Sequence, residues 1–263
     1  MFYILSFFFG ESIGSFVQVF VSRLHVAPII KGRSKCLSCG EALRVTDLIP
    51  LVSYVTLEGK CKYCRTPYGV ESVIVEVLYG IVFVLLYGVI LSGQTTLLLS
   101  FLYLAYYSVL FALLGIIALY DRKHTYIPVP MLFLFCFLTL GMLFVRYVTE
   151  PSLTILVSPL VTALPFLFLW LITKGKGVGL GDVFLFLGVG AFFGIEQSFA
   201  VLMISVWIGA VFGSVMYVKN KKKNKKVNTE IPFVPFIVIA FLVVLFTDID
   251  ILTIANVLGK WYH

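Results

Sequence analysis

Apolar positions in this chain run unbroken for long stretches, and the polar residues collect in the gaps between them. A run of about 18 or more apolar residues is long enough to cross a bilayer as a helix. Eight such runs are predicted, at about 2–22, 72–92, 97–120, 127–148, 152–173, 180–195, 198–218 and 231–252. The sixth is short and the eighth ends indistinctly. No internal repeat stands out. The first run has no basic flank before it and no small-residue cleavage site after it, and it carries Glu11 and Gln18, so it reads as a retained helix rather than a signal peptide. The expected fold is an all-α polytopic membrane protein of about eight transmembrane helices.

Composition agrees: 60% of the 263 residues are hydrophobic and only 13% are charged, against about 25% charged in a soluble domain. The net charge of +7 raises the question of nucleic acid, and its placement answers it. With the N-terminus outside, residues 23–71, 121–126, 174–179 and 219–230 lie inside and hold 18 of the 20 Lys and Arg. Only Arg146 and Lys260 fall outside. This is the positive-inside bias, which sets orientation. The run "KNKKKNKK" (219–226) reads as a topology anchor near anionic lipid, so membrane lipid is an expected partner and nucleic acid is not. The resulting organisation is a first transmembrane helix (1–22), a cytosolic loop domain (23–71), a transmembrane domain of about seven helices (72–252) and a short C-terminal tail (253–263).

The loop domain contains two CxxC pairs, Cys36/Cys39 and Cys61/Cys64, separated by 21 residues. Each short turn brings two sulfurs to one side, and two such turns supply the four ligands of a closed tetrahedral zinc site. Such a site is structural, holding together a loop too small to build its own core. Two disulfides or four free thiols are the other readings, and a reducing interior argues against the first. Cys136, in an apolar run, reads as packing.

Acidic groups in or beside membrane segments are costly and call for a reason. Four qualify: Glu11, Glu76, Asp121 and Asp182. Asp121 ends the third run in "ALYDRKHTYIP" and Asp182 opens the sixth in "GKGVGLGDVF", both on the inner side and 61 residues apart. Two facing aspartates can hydrolyse a peptide bond with no metal, sharing one proton between them. The glycines before Asp182 would let an extended substrate lie close to the backbone there. The plainer reading makes Asp121 an interfacial residue beside Arg122 and Lys123, and Asp182 a helix cap. A glycine-rich cofactor loop needs a preceding strand in a βαβ unit, for which the chain has no room.

Taken together, these motifs resemble the type IV prepilin peptidases, membrane aspartic proteases of the GxGD type. "GSFVQVFVSRL" (14–24) resembles the family's first helix, the double CxxC around "IPLVSY" (49–54) its zinc domain, and Glu76 the glutamate near the start of its second helix. "DRKHTYIP" (121–128), "GLGD" (179–182) and "IPFVPF" (231–236) are similar to its two aspartate motifs and its last helix. The resemblance implies removal of the basic leader of prepilins or pseudopilins after a glycine, at the cytosolic face of the bacterial inner membrane. It also implies N-methylation of the new terminus from S-adenosylmethionine. It assigns catalysis to Asp121 and Asp182, and structural zinc to Cys36, Cys39, Cys61 and Cys64. Glu41, Asp47, Glu58 and Glu71 are candidate contacts for a basic leader. The chain departs from the family pattern at Gln18 (often Asn), Ser72-Val73 (often Tyr-Pro), Val129 (often Asp), Phe184 (often Lys) and Val234 (usually Gly). A transporter that relays ions through buried carboxylates and a non-catalytic zinc-ribbon scaffold are the rival readings. The first expects acids at the midplane rather than at one face.

Overall fold

The computed structural model describes the chain except residues 27, 29–33, 37, 45–46, 48–50, 68, 93–95, 176–177, 223–230 and 260–263, so parts of "IPLVSY" and of the glycine track, and half of the 219–226 basic run, lie outside the described residues. Among the described residues ten helices appear in order: α1 Phe2–Arg23, α2 Val52–Thr56, α3 Val70–Ser92, α4 Leu97–His124, α5 Val129–Thr149, α6 Leu153–Thr173, α7 Leu180–Phe193, α8 Ile195–Lys222, α9 Val234–Thr247 and α10 Ile251–Gly259. No strand occurs among the described residues; two isolated bridges, Lys35 with Ala42 and Lys60 with Pro67, lie in the loop domain.

Six helices, α1, α3, α4, α5, α6 and α8, are long and apolar enough to cross a membrane. The other two expected spans, α7 and α9, have 14 residues each. At about 1.5 Å per residue that is roughly 21 Å, short of the ~30 Å hydrocarbon core. The eighth run ends early because Asp248 turns into the left-handed region (φ 55°) and caps α9. Asp250 then starts α10, its Oδ1 accepting from Thr253 N at 2.6 Å. The third run extends past its expected end at 120, because Asp-Arg-Lys-His closes α4 with bases that suit a helix C-terminus.

The chain divides into two compact units, 1–116 and 117–263, with the boundary inside α4. In the first unit α1 and α3 pack antiparallel. Gly10 and Gly14 permit near-backbone contact: a Cβ on Gly10 would lie 2.5 Å from Tyr79 O, and one on Gly14 3.1 Å from Tyr79 Cβ. Small residues drive such contacts where lipid offers no hydrophobic driving force. Between these helices Glu11 is completely buried, and neither carboxyl oxygen has a hydrogen-bond partner. An orphaned buried polar group costs about 1–3 kcal/mol, which an apolar replacement of similar volume recovers. Glu11→Met is therefore expected to raise the Tm of the purified protein. A lowered Tm would show instead that the carboxyl is engaged.

In the second unit α7 is the buried centre, flanked by α5, α6 and α8. α5 and α7 run parallel, as a ladder of contacts shows: Ile127 against Gly181, Phe133 against Phe184, Phe135 against Gly188 and Arg146 against Gly194. Phe166 stacks on Phe186 at 4.2 Å, and Phe193 meets Phe241 at 4.7 Å. Because Asp121 lies only six residues before Ile127 in the sequence, this register carries the end of α4 to the same end of the unit as Asp182.

Candidate active site and cysteine cluster

Asp121 occupies the last turn of α4 and is buried, 6% exposed. Its Oδ2 accepts from the backbone N–H of Val234, the first residue of α9, at 3.2 Å. The N-terminus of a helix presents unpaired N–H groups and a partial positive charge, so it suits a carboxylate. Asp182 sits in the first turn of α7, where its Oδ2 accepts from Gly179 N at 3.2 Å. Each aspartate is thus fixed by an amide at the start of one of the two short helices. Both aspartates lie at the same end of the second unit. The plainer reading of Asp182 as a cap is part of the picture: capping orients the side chain and leaves its second oxygen for other work.

The segment after Asp121 closes the arrangement. Thr125 N donates to Asp121 O at 2.7 Å, with Thr125 in the left-handed region (φ 57°). The Tyr120 and Tyr126 hydroxyls hydrogen-bond to each other, and the His124 ring lies 4.5 Å from that of Tyr120. This turn delivers Ile127 onto Gly181, where a Cβ would come within 2.9 Å of Ile127 Cδ1. The expectation that the glycine track admits substrate is therefore revised at Gly181, whose bare face is filled by Ile127 of the chain itself. Gly179 keeps an extended backbone (φ −78°, ψ 151°) and meets only Gly181 N and Asp182 Oδ2 nearby. Val234, Tyr120, Tyr126 and Ile127 were not identified as site residues from sequence. Their only signal was proximity to the two aspartate motifs and to "IPFVPF".

In the first unit, Glu76 accepts from Leu51 N at 3.4 Å and bonds to Ser15, tying the loop domain to the start of α3. Two positions that depart from the family pattern are partners: Ser72 Oγ donates to Gln18 Oε1 at 2.7 Å, and Gln18 Nε2 donates to Ser72 O at 3.0 Å. Asp47 is committed locally, accepting from Arg44 N at 3.1 Å and pairing with Lys62 at 3.8 Å, while Glu58 lies 3.9 Å from Lys60. Cys136 donates to Phe184 O at 3.3 Å.

Cys36, Cys39, Cys61 and Cys64 converge, with all four sulfurs within 4.8 Å of one another. Cys36 and Cys64 sulfurs are 3.7 Å apart, too far for a disulfide and close to the roughly 3.8 Å edge of a tetrahedron with Zn–S of about 2.3 Å. The two halves share one fold. In each, the first cysteine N–H donates to the carbonyl five residues on (Glu41, Thr66), and its own carbonyl accepts from the residue four on (Gly40, Arg65). That fourth residue takes a positive φ in both, 73° at Gly40 and 59° at Arg65. Backbone amides of Cys64 and Tyr63 bring the Cys61 thiol down to about 6, and the Thr66 hydroxyl lowers that of Cys64. Four sulfurs converging at this spacing are the donor set that Zn²⁺ takes as thiolates, so the cluster fits Zn²⁺. Among the described residues, the 510 Å³ cavity of the first unit is walled by apolar side chains such as Phe2, Leu5, Phe9 and Phe101.

Comparison with known proteins follows the same division of the chain. Residues 8–90 match the Bacterial Peptidase A24 N-terminal domain, and residues 108–214 match the Type IV leader peptidase family. Curated relatives named prepilin leader peptidase/N-methyltransferase include one from Bacillus subtilis (strain 168), 30% identical over 239 residues, covering 88% of each chain. One from Legionella pneumophila is 31% identical over 229 residues, covering 81% of this chain and 72% of that one. One from Burkholderia pseudomallei (strain 1026b) is 30% identical over 219 residues, covering 78% of this chain and 64% of its own length. The chain thus spans somewhat under two thirds of the Burkholderia relative. No solved structure matches.

Proposed function

We infer from one premise, that this chain belongs to the type IV leader peptidase family, that it cleaves the leader from prepilin-like substrates in the bacterial inner membrane and N-methylates the new terminus. The observation that carries the peptidase reading is the placement of Asp121 and Asp182 at one end of the second unit, each held by an amide at the start of a short helix.

In this reading the two carboxylates hold a single proton between them, since two close like charges resist joint ionisation. The ionised aspartate takes a proton from water as that water adds to the scissile carbonyl. The protonated one gives its proton to the developing oxyanion. As the tetrahedral intermediate collapses, the aspartate that took the proton from water gives it to the departing amine, and the other recovers its proton from the hydroxyl that becomes the new carboxyl's carbonyl, so the pair again holds one proton. Val234 N and Gly179 N each fix one oxygen, so the dyad needs no reorganisation during the step. Short α7 and α9 support a water-accessible site at membrane depth, because irregular backbone there must be buried in protein or face water. The distribution of Lys and Arg supports a cytosolic location for this end of the unit. A prepilin would present a basic leader in the cytosol and a hydrophobic helix in the bilayer, with the scissile bond between them.

The zinc site is structural in this proposal, with no step passing through it. Methyl transfer rests on the names of the relatives, and no residue is assigned to it. The test is the purified full chain in nanodiscs with a synthetic prepilin. Mass spectrometry should show loss of the leader, and addition of labelled S-adenosylmethionine should place label on the new N-terminus. An intact substrate would refute the peptidase. Ion flux in proteoliposomes without cleavage would favour the transporter.

Gly181 offers a finer check. Gly181→Ala favours the helix by propensity but drives a methyl into Ile127. Cleavage is expected to fall about ten- to a hundred-fold, corresponding to about 1–3 kcal/mol. Ile127→Ala in the same chain should restore most of it, and failure to do so would show that the loss arises elsewhere.

A further inference from the structure

α7 carries one charged residue, Asp182, on an otherwise apolar 14-residue rod. Apolar contacts alone fix the axial position of such a rod weakly, and a misplacement of about 1 Å at a catalytic group can cost about 10²-fold in rate. The end of α7 far from Asp182 is held unusually. The last carbonyls of a helix lack intrahelical donors, and inside a membrane no bulk water supplies them. Here the Phe192 carbonyl accepts from Arg146 Nη1 of α5 at 3.0 Å, and two further carbonyls gain a side-chain donor: Gly190 O, which Gly194 N already caps at 2.9 Å, accepts from Ser158 Oγ of α6 at 2.9 Å, and Val189 O from Ser198 Oγ of α8 at 3.1 Å.

Gly194, which ends α7, has φ +87°, and a Cβ there would come within 2.9 Å of Arg146 Nη2. The chain therefore leaves room for the guanidinium at the point where the helix stops. An arginine in this position is costly in a membrane protein unless it is used. Its positive charge complements the negative end of the α7 dipole. Most other bases of the chain lie in the loops expected on the opposite, cytosolic side.

We propose that Arg146, with Ser158 and Ser198, is the positioning set for the reaction: it fixes α7 along its axis and so sets the height of Asp182 opposite Asp121. Arg146 is not a catalytic residue, since it acts through the helix from the other end. Ile127 against Gly181 is the matching stop at the catalytic end. The inference rests on the reading of Asp182 as half of the dyad.

The test uses the full chain in nanodiscs with a model prepilin. Arg146→Ala is expected to lower kcat about ten- to a hundred-fold with KM nearly unchanged, and to displace the pH–rate profile because the carboxylates no longer keep their spacing. Arg146→Lys, which keeps a donor within reach of one carbonyl, should recover part of the loss. Gly194→Ala, which moves the guanidinium without removing it, should reproduce the kcat defect. Combining it with Arg146→Ala should add little. Helical content by circular dichroism serves as the folding control. A purely structural role predicts lower yield and Tm with unchanged kcat and pH profile per folded molecule, and that result overturns the proposal. An Asp182→Asn variant that still cleaves removes the premise instead, so the two failures are separable.

Discussion

Asp121→Asn and Asp182→Asn, each alone, are expected to reduce leader release by about 10³-fold or more, while the protein inserts and keeps its metal. A group that passes protons in the transition state typically contributes 10²–10⁴-fold, so the loss corresponds to about 4 kcal/mol of barrier. Asparagine is chosen because it preserves the local structure. Its amide oxygen can still accept from Val234 N at position 121 or from Gly179 N at position 182, the bonds that now measure 3.2 Å in each case. It cannot take a proton from water or hold one for the oxyanion. If the pair acts as one unit, the double variant should be scarcely worse than either single variant, as when members of a catalytic group are removed together. The wild-type rate should pass through a maximum with pH, since the reaction needs one carboxylate charged and its partner not. Endpoint mass spectrometry on nanodisc-embedded protein measures all of this. Cleavage above about a tenth of the wild-type rate in either single variant would remove the dyad from consideration.

How far the sequence reveals this arrangement depends on the range of the contacts. Hydropathy located the six long apolar helices and the two short ones, α7 and α9, because a bilayer imposes a length on each run independently of its neighbours, but it missed α10, which lies largely in the expected tail. It misplaced ends where capping decides them. Asp248, left-handed at φ 55°, stops α9 inside an unbroken apolar reading, and α4 continues through Asp-Arg-Lys-His to residue 124. The cysteine pairs were legible because the metal-binding turn is local: spacing within CxxC fixes where two sulfurs go. The two aspartates could be named, and their common depth inferred, but not their partners. Val234 is 113 residues from Asp121, and Arg146 is 46 from Phe192. Nothing short of the packed fold pairs them. The same holds for Gly181, where a sequence reading sees room for a substrate and the structure shows the side chain of Ile127.

The cysteine cluster yields the other large expected effect, on metal and on the loop rather than on cleavage. Wild-type protein should bind about one zinc per chain, and Cys36→Ser or Cys61→Ser should abolish stoichiometric binding. These two are the buried ligands, 6% and 0% exposed, so their loss also opens the interior of the loop. Among the described residues the loop is held otherwise by one five-residue helix, α2, two isolated bridges, the Asp47–Lys62 and Glu58–Lys60 pairs and the tie from Leu51 N to Glu76. For domains of this kind metal binding is folding free energy, of the order of 10 kcal/mol or more at neutral pH. Chelation should therefore raise amide exchange throughout 34–67 and weaken the tie from Leu51 N to Glu76. Asp121 and Asp182 lie in the second unit and draw their hydrogen bonds from it. Cleavage by the zinc-free variants should consequently fall less than tenfold, provided the helices remain inserted. Metal analysis, exchange mass spectrometry and the cleavage assay on one preparation decide the matter. Two disulfides with no metal would overturn the zinc assignment. Complete loss of cleavage in a protein whose helices are intact would instead tie the loop to the chemistry.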